Sequence, residues 1–389
     1  PPNGRETLLL RDAPGRICPV DIHAQIASPP FPGSAMDGYA INAKPAADVR
    51  GRKFTVAGES AAGKPWTEAI GDDQCIRIFT GAAIPPGVRR VILQEDCTRQ
   101  SDAMGITGDP DPRSNIRPAG HDIEAGERLV KAGRRLTPVD IGRLAIDGRA
   151  SVEVYRPLRV GVFSTGDELV EPGTDGPLPW GSIYESNRKT LLAQLATLPV
   201  HATDLGILPD SAEATRQALA RAAATEDFIL TSGGVSVGDH DHVKGAVESL
   251  GALEFWKLNL KPGKPLAFGR IHQTWFCGLP GNPVSAIVTW LLIARPAILA
   301  ASGAGIEPPL RIPARLIEAV QHKAGRAEYQ RGTLSFDSLN DLPAVSIRGD
   351  QSSNRLSTFQ DANCLVEIPK EVHDLPVGSP VVVLPISGM

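Results

Sequence analysis

Residues 159–165 (RVGVFST), running at once into Gly166-Asp167-Glu168, decide how the middle of this 389-residue chain is read. A short apolar run that ends in a glycine turn has the pattern of a buried strand. Outward from it, Ser186-Asn187 opens a helix-like run over 188–198, and 200–208 reads as a second strand. Asp210-Ser211-Ala212-Glu213 resembles a capping box ahead of an alanine-rich helix reaching Ala224. A third strand over 227–231 leads into Gly233-Gly234. Strands alternating with helices predict a doubly wound, parallel α/β sheet over 157–305. Ligands of such sheets lie beyond the carboxyl ends of the strands.

The flanks read differently. Residues 29–127 carry short β-like runs at 54–57, 75–79 and 91–94 among many glycines and prolines, which predicts an inserted β domain. After 306, strands are expected at 311–319, 344–347, 364–368 and 381–384, with turns at Asn340-Asp341 and Val377-Gly378. These form a C-terminal β-barrel or sandwich. Residues 1–28 show neither helix nor strand clearly, whereas Thr137-Pro138 starts a helix within 128–156. The apolar run 284–294 is cut by Arg295-Pro296, too short to span a bilayer, and reads as a buried helix.

Composition excludes several classes. With 39 Gly and 34 Pro, helices are interrupted too often for a helical bundle, and the glycines lack the collagen period. A net charge of −4 argues against a nucleic-acid binder that works through bulk charge. Cys18, Cys75, Cys97, Cys277 and Cys364 are scattered, odd in number and without a C-x-x-C pair. That speaks against a disulfide framework or zinc site and for a reducing cytoplasm. No membrane partner is expected.

Three segments fall at the predicted carboxyl ends. Ser164-Thr165-Gly166-Asp167-Glu168 fits a polar turn and equally a carboxylate pair that holds Mg²⁺ beside phosphate oxygens. In Thr231-Ser232-Gly233-Gly234-Val235-Ser236-Val237-Gly238-Asp239-His240-Asp241, small residues expose N–H groups that can surround an anion. A cation between Asp239 and Asp241 would offset their repulsion; a glycine turn with structural acids is the alternative. Leu279-Pro280-Gly281-Asn282-Pro283 reads as a helix start, Asn282 as N-cap and Pro283 at the first position, with N–H groups free for an anion or simply capped. Between the second and third, Lys257 and Lys261 share strand parity and Pro262-Gly263 presents Lys264, a cluster suited to a polyanion or to a solvated basic edge.

Two matches are imperfect. Gly58 to Lys64 nearly repeats a P-loop, but Pro65 replaces the hydroxyl residue that would ligate Mg²⁺. Gly234-Val235-Ser236-Val237-Gly238 fits the G-x-S-x-G nucleophile elbow, which keeps a serine hydrolase using Ser236 as a minor reading. His240 and His242 have no partners at metal-ligand spacing.

Pro29-Pro30-Phe31 with Ser34-Ala35-Met36-Asp37-Gly38-Tyr39-Ala40 resembles the signature of the molybdopterin molybdenumtransferases, the MoeA family, similar to the gephyrin E domain. Further matches follow in order at 78–82, 115–122, 164–169, 231–238, 261–265, 278–285 and 362–364. The resemblance implies four domains: a discontinuous helical dimerisation segment (1–28 with 128–156), the inserted β domain, a MogA-like α/β domain and the barrel. It implies a homodimer that uses molybdate and adenylylated molybdopterin with Mg²⁺, forming molybdenum cofactor and releasing AMP. A non-catalytic pterin-binding scaffold is the alternative the same resemblance permits. A molybdopterin adenylyltransferase and molybdoenzyme-maturation proteins are the implied partners.

Carried over by position, the resemblance implies catalytic roles for Asp37, Thr80, Glu168, Asp210, Asp241, Lys257 and Lys261, with Glu168 and Asp241 on the metal. It implies substrate contacts at Thr165, Gly166, Asp167, Ser232, Gly233, Gly234, Val235, Ser236, Lys264, Pro280, Gly281, Asn282 and Pro283, and on the barrel at Arg326, Arg331 and Ser353. His121, beside Asp122, departs from the acidic residue usual in the family.

Overall fold

The computed structural model describes residues 4–209, 211–235, 242–336, 342–347 and 349–386. Its centre is a six-stranded sheet in the order Val200–Ile207, Leu158–Ser164, Phe228–Ser232, Thr274–Leu279, Pro265–Ile271, Gly251–Lys257. The first four strands are mutually parallel, but Pro265–Ile271 is antiparallel to both its neighbours. The wholly parallel sheet expected from the alternation is therefore corrected to a mixed one. The physical reason is the short turn at 272–273, which can only return the chain antiparallel.

Alternation along the strands builds two cores. Leu158, Val160, Val162, Phe228, Leu230, Cys277 and Leu279 face the helix Asn187–Leu195 and the run from Pro283 to Ala301. Phe163, Ile229, Phe276 and Ala267 face the helices Ala212–Thr225 and His242–Leu250. A sheet buried on both faces needs apolar residues at both parities, which is why these strands read as continuous apolar runs.

Local signals need three adjustments. The helix expected over 188–198 stops at Leu195. The helix Ala212–Thr225 is capped by Ser211, whose side chain accepts from the Ala214 N–H; Glu213 turns instead to Arg216 and Gln217, so the four-residue box is not the one expected. Arg295-Pro296 does not interrupt the helical run Pro283–Ala301, because a π-turn over Trp290–Ala294 absorbs the missing donor. Its 19 residues and mean hydropathy of 1.9 are enough to cross a membrane by length, contrary to the expectation; Trp290, Ala294 and Ile298 are fully buried against the sheet, which makes it a core helix.

Residues 29–127 hold a second six-stranded sheet, in which Gly38–Ile41 lies between Arg90–Leu93 and Gln74–Ile78. The segments before and after it share one core, including Leu10, Cys18, Ile22, Leu129, Leu144 and Val152. There Arg5–Leu9 pairs antiparallel with Ser151–Tyr155, and the α-helix is Pro138–Ile146. Strands outweigh helix in the regular structure of this segment, which has one α-helix of nine residues held by a reciprocal cap between Thr137 and Asp140.

The C-terminal strands close into a five-stranded barrel, because Ala327–Ser335 pairs with both Ala344–Ser346 and Cys364–Ile368. Sequence reading missed Ala327–Ser335 altogether: its buried residues include Glu328, Gln330 and Arg331, so the strand lacks an apolar alternation. The barrel seats on the long helix through Val284, Val288, Leu365 and Leu384.

Candidate active site

In the strand order, the chain passes from Leu158–Ser164 outward to Val200–Ile207 and then back across to Phe228–Ser232. This reversal opens a crevice at the carboxyl ends of the first and third of these strands. A cavity of about 1440 Å³ lies there, walled on one side by the α/β domain and on the other by the barrel.

The α/β wall is made largely of backbone. Thr165 donates its N–H to Ser232 O at 3.0 Å, and Gly233 donates to Leu279 O at 2.9 Å, so three strand ends are tied together. Gly233 has φ +88°, and a Cβ there would stand 2.6 Å from Thr165 O. Only glycine fits that approach. Thr165, Glu168, Ser232, Gly233, Gly234, Val235, Pro280, Gly281, Asn282 and Pro283 all line the cavity. Behind this wall, the buried Arg188 donates to Ser164 Oγ at 2.7 Å and pairs with Glu171 and, at 2.7 Å, with Asp204. Sequence reading did not single out Arg188; three polar partners from separate segments leave no local pattern.

The barrel wall is made of polar side chains. Arg326, Glu328, Gln330 and Ser353 line it, together with Lys261 and Lys264 from the connecting hairpin. Lys261 lies in the two-residue strand Leu260–Lys261, which pairs with Ala327–Ser335 of the barrel. Lys257 ends a strand of the α/β sheet and is absent from the cavity lining. The parity argument that put the two lysines on one strand face is therefore corrected: they belong to different sheets.

Asn282 is an N-cap by position, but its amide reaches across the cavity mouth to Ser353 Oγ at 3.1 Å, and Val284 N–H donates to Ser353 O at 3.0 Å. The barrel therefore takes one of the helix N–H groups expected to be free for an anion. Arg331, expected to touch substrate, is buried behind the wall. It donates to Thr358 Oγ1 at 3.0 Å and to the carbonyls of Asp350 and Ser352, fastening the 350–353 loop. Burial pulls the proton affinity of its guanidinium down. Gly166 and Asp167 stand in the turn beside Glu168 but do not line the cavity. Asp210, Ser236 and Asp241 lie outside the described residues.

Asp37 and Thr80 meet elsewhere. The pairing Gly38↔Ile78 brings the residues flanking those strands side by side. Thr80 donates both its N–H and its hydroxyl to Asp37 Oδ1, each at 2.7 Å. These bonds, the backbone one first, hold the Asp37 carboxyl below its ordinary range. Arg77, another residue not foreseen, stacks 4.7 Å from the Phe79 ring centroid and 5.3 Å from that of Tyr39, and donates to Gly38 O at 3.0 Å. The cavity described above draws its lining from residues 164–356, so this pair stands apart from it within one chain.

Residues 1–148 match the family described as "MoeA N-terminal region (domain I and II)", 161–300 "Probable molybdopterin binding domain" and 313–386 "MoeA C-terminal region (domain IV)". The chain is 39% identical to the molybdopterin molybdenumtransferase of Haemophilus influenzae, over 100% of this chain and 95% of that one. The chain belongs to the MoeA family. It is also 32% identical to gephyrin of Dictyostelium discoideum, over 97% of this chain and 59% of that protein. Among solved structures, a molybdopterin biosynthesis MoeA protein from Pyrococcus horikoshii superposes with a TM-score of 0.83 at 28% identity, covering 98% of this chain and 94% of that one. Family membership makes the chain an enzyme of molybdenum cofactor biosynthesis and sets aside the serine-hydrolase reading.

Among the described residues, no group of three or more His, Cys, Asp or Glu side chains could hold a metal by itself. Glu168 is nevertheless an exposed carboxylate on the cavity wall, with no ion pair among the described residues. That donor set fits Mg²⁺, which is commonly held by one or two carboxylates plus substrate phosphates. The cysteines are unsuited to nucleophilic work: burial pushes the thiols of Cys75, Cys97 and Cys277 up to about 12.

Proposed function

We propose that this MoeA-family enzyme takes adenylylated molybdopterin and molybdate as substrates, inserts molybdenum into the dithiolene and releases AMP. The observation that carries this reading is the cavity at the strand-order reversal. Its volume exceeds the roughly 300–1000 Å³ of ordinary small-molecule pockets, which suits a pterin joined to a nucleotide. Backbone turns at Gly233, Gly234 and Gly281 can approach phosphate oxygens closely, and Lys261 and Lys264 supply positive charge from the facing side.

The residues divide the work. The glycine turns and Pro280-Gly281 shape the bed of the anhydride. Lys261, Lys264 and Arg326 hold oxyanions, and Ser353 closes the mouth through Asn282. Attack on the anhydride comes from an oxyanion or water, so no side-chain nucleophile is required. Mg²⁺, held by Glu168 and Asp241 with substrate oxygens, would neutralise charge that develops as the bond breaks.

Asp37 and Thr80 enter this reading through a second copy of the chain. An exposed apolar stripe on the helix Pro138–Ile146, with Val139 and Ile146 at 71% and 47% exposure, supports a homodimer. Five free cysteines, four of them buried, support a cytoplasmic setting, and an adenylyltransferase upstream would supply the substrate.

The test is AMP release from purified protein given adenylylated molybdopterin, molybdate and Mg²⁺. Release of AMP with formation of cofactor is expected. Binding of the pterin without release would favour a scaffold instead, and no binding would overturn the reading.

A further inference from the structure

The barrel wall contains a buried histidine that the reaction as read above does not use. His322 is 7% exposed and does not line the cavity. Its Nδ1 lies 2.8 Å from Val372 O, its Nε2 lies 3.2 Å from Arg326 O, and its backbone N–H donates to Asp374 Oδ1 at 2.8 Å. Both ring nitrogens thus face acceptors. A neutral imidazole has one N–H and would set a lone pair against one of these carbonyls, whereas the doubly protonated ring donates to both.

A carboxylate stands beside the ring. His322 Nε2 is 3.8 Å from Glu328 Oε2, and the two side chains are 2% and 5% exposed. The same carboxylate accepts from Lys261 Nζ at 3.1 Å and from Gln330 Nε2 at 2.9 Å. Glu328 and Lys261 line the cavity, while His322 does not. Among the described residues, Glu328 is the charged group paired with the ring, Asp374 holds the backbone N–H, and Lys261 stands one step further on. With Lys261 alone, Glu328 would cancel the lysine's charge where an anion must bind. A doubly protonated ring behind Glu328 would restore a net positive balance and hold the carboxylate in place.

We propose that His322, doubly protonated, is a positioning residue: through Glu328 it sets the place and effective charge of Lys261 toward an anionic ligand. This rests on the proposed function for the identity of the ligand, but its geometry belongs to this chain alone. The role differs from a packing role in one measurable way. A packing residue changes stability, whereas this one changes anion affinity and does so only while the Glu328 carboxylate is present.

Titration calorimetry with inorganic pyrophosphate, a small polyanion, reads this directly in the full chain. His322→Gln keeps the size of the residue but not its charge, and should weaken pyrophosphate binding about tenfold. His322→Lys, which keeps the charge, should stay within about threefold of wild type. In a Glu328→Gln background, His322→Gln should change affinity by less than about twofold, because the group it acts through is gone. Equal affinities for wild type and His322→Gln would overturn the proposal, as would the same loss in both backgrounds or no pyrophosphate binding by wild type. If His322→Gln does not fold, His322→Asn in the wild-type and Glu328→Gln backgrounds carries the same test: equal losses in both, or no loss in either, overturn it. AMP release by wild type is measured alongside. A flat pyrophosphate series with normal AMP release removes the role of His322 alone, and the expected series without AMP release removes the proposed reaction alone.

Discussion

The two walls of the cavity are built by opposite means. The α/β wall is shaped by main chain: strand ends, a glycine at φ +88° and a proline turn, with few side chains in decisive places. The barrel wall is shaped by side chains: Glu328 and Gln330 line it and are bonded to each other, with the buried His322 beside Glu328 and the buried Arg331 bonded to Thr358 behind. Backbone walls are rigid and fail abruptly when a Cβ is added. Side-chain walls depend on charge balance and fail in proportion to the group removed.

Gly233→Ala breaks the comparison hardest. Its new Cβ meets a backbone oxygen that cannot move aside, at a φ that alanine rarely adopts. AMP release should fall at least about 100-fold, since a displacement near 1 Å at a reacting centre has that effect. Single-turnover kinetics check it, and a loss under tenfold would show that the turn is not rigid.

Arg331→Met tests the other wall. Removing its bonds to Thr358 and to the 350–352 carbonyls should destabilise the barrel by about 2 kcal/mol. Urea denaturation measures that, and amide exchange at residues 350–353 should rise in step. The Michaelis constant for molybdate should increase more than the turnover number falls. The reverse pattern would make Arg331 a direct contact.

Thr137→Ala lies away from both walls and sharpens the contrast as a control. Loss of the hydroxyl half of the cap should cost about 1 kcal/mol of stability, with AMP release unchanged.

The smallest effect belongs to Asp37. Its carboxyl is held below the ordinary range, so whatever the Thr80 bonds contribute is present above that range and is lost as pH falls through the depressed value. Thr80→Val removes the hydroxyl bond and keeps the stronger backbone one. The Asp37 titration, followed by carboxyl carbon NMR, should therefore move upward slightly; no movement would assign the depression to the backbone bond alone.

The same contrast explains what could be read in advance. Glycine turns leave marks in sequence because few residues tolerate them, and Thr165, Gly233, Gly234 and Pro280 were all foreseen and line the cavity. Ala327–Ser335 was not foreseen, because polar buried residues erase the alternation by which strands are recognised. Lys257 and Lys261 looked equivalent in spacing, yet a two-residue strand carries one of them into a different sheet.

By itself, the sequence determined the alternating α/β centre, the β-rich flanks and the ordered motifs that identify the MoeA family. Local conformational preferences and near-neighbour patterns are sufficient for those. Only the tertiary structure decided which side chains meet: Arg188 with Ser164, Glu171 and Asp204, His322 with Glu328, and Ser353 with the start of the long helix. Most of these partners are tens of residues apart, and burial makes each buried charge depend on them. Within a domain their pairing is set by how the elements pack, and for Ser353 by how the barrel closes on the α/β domain, which no local pattern records.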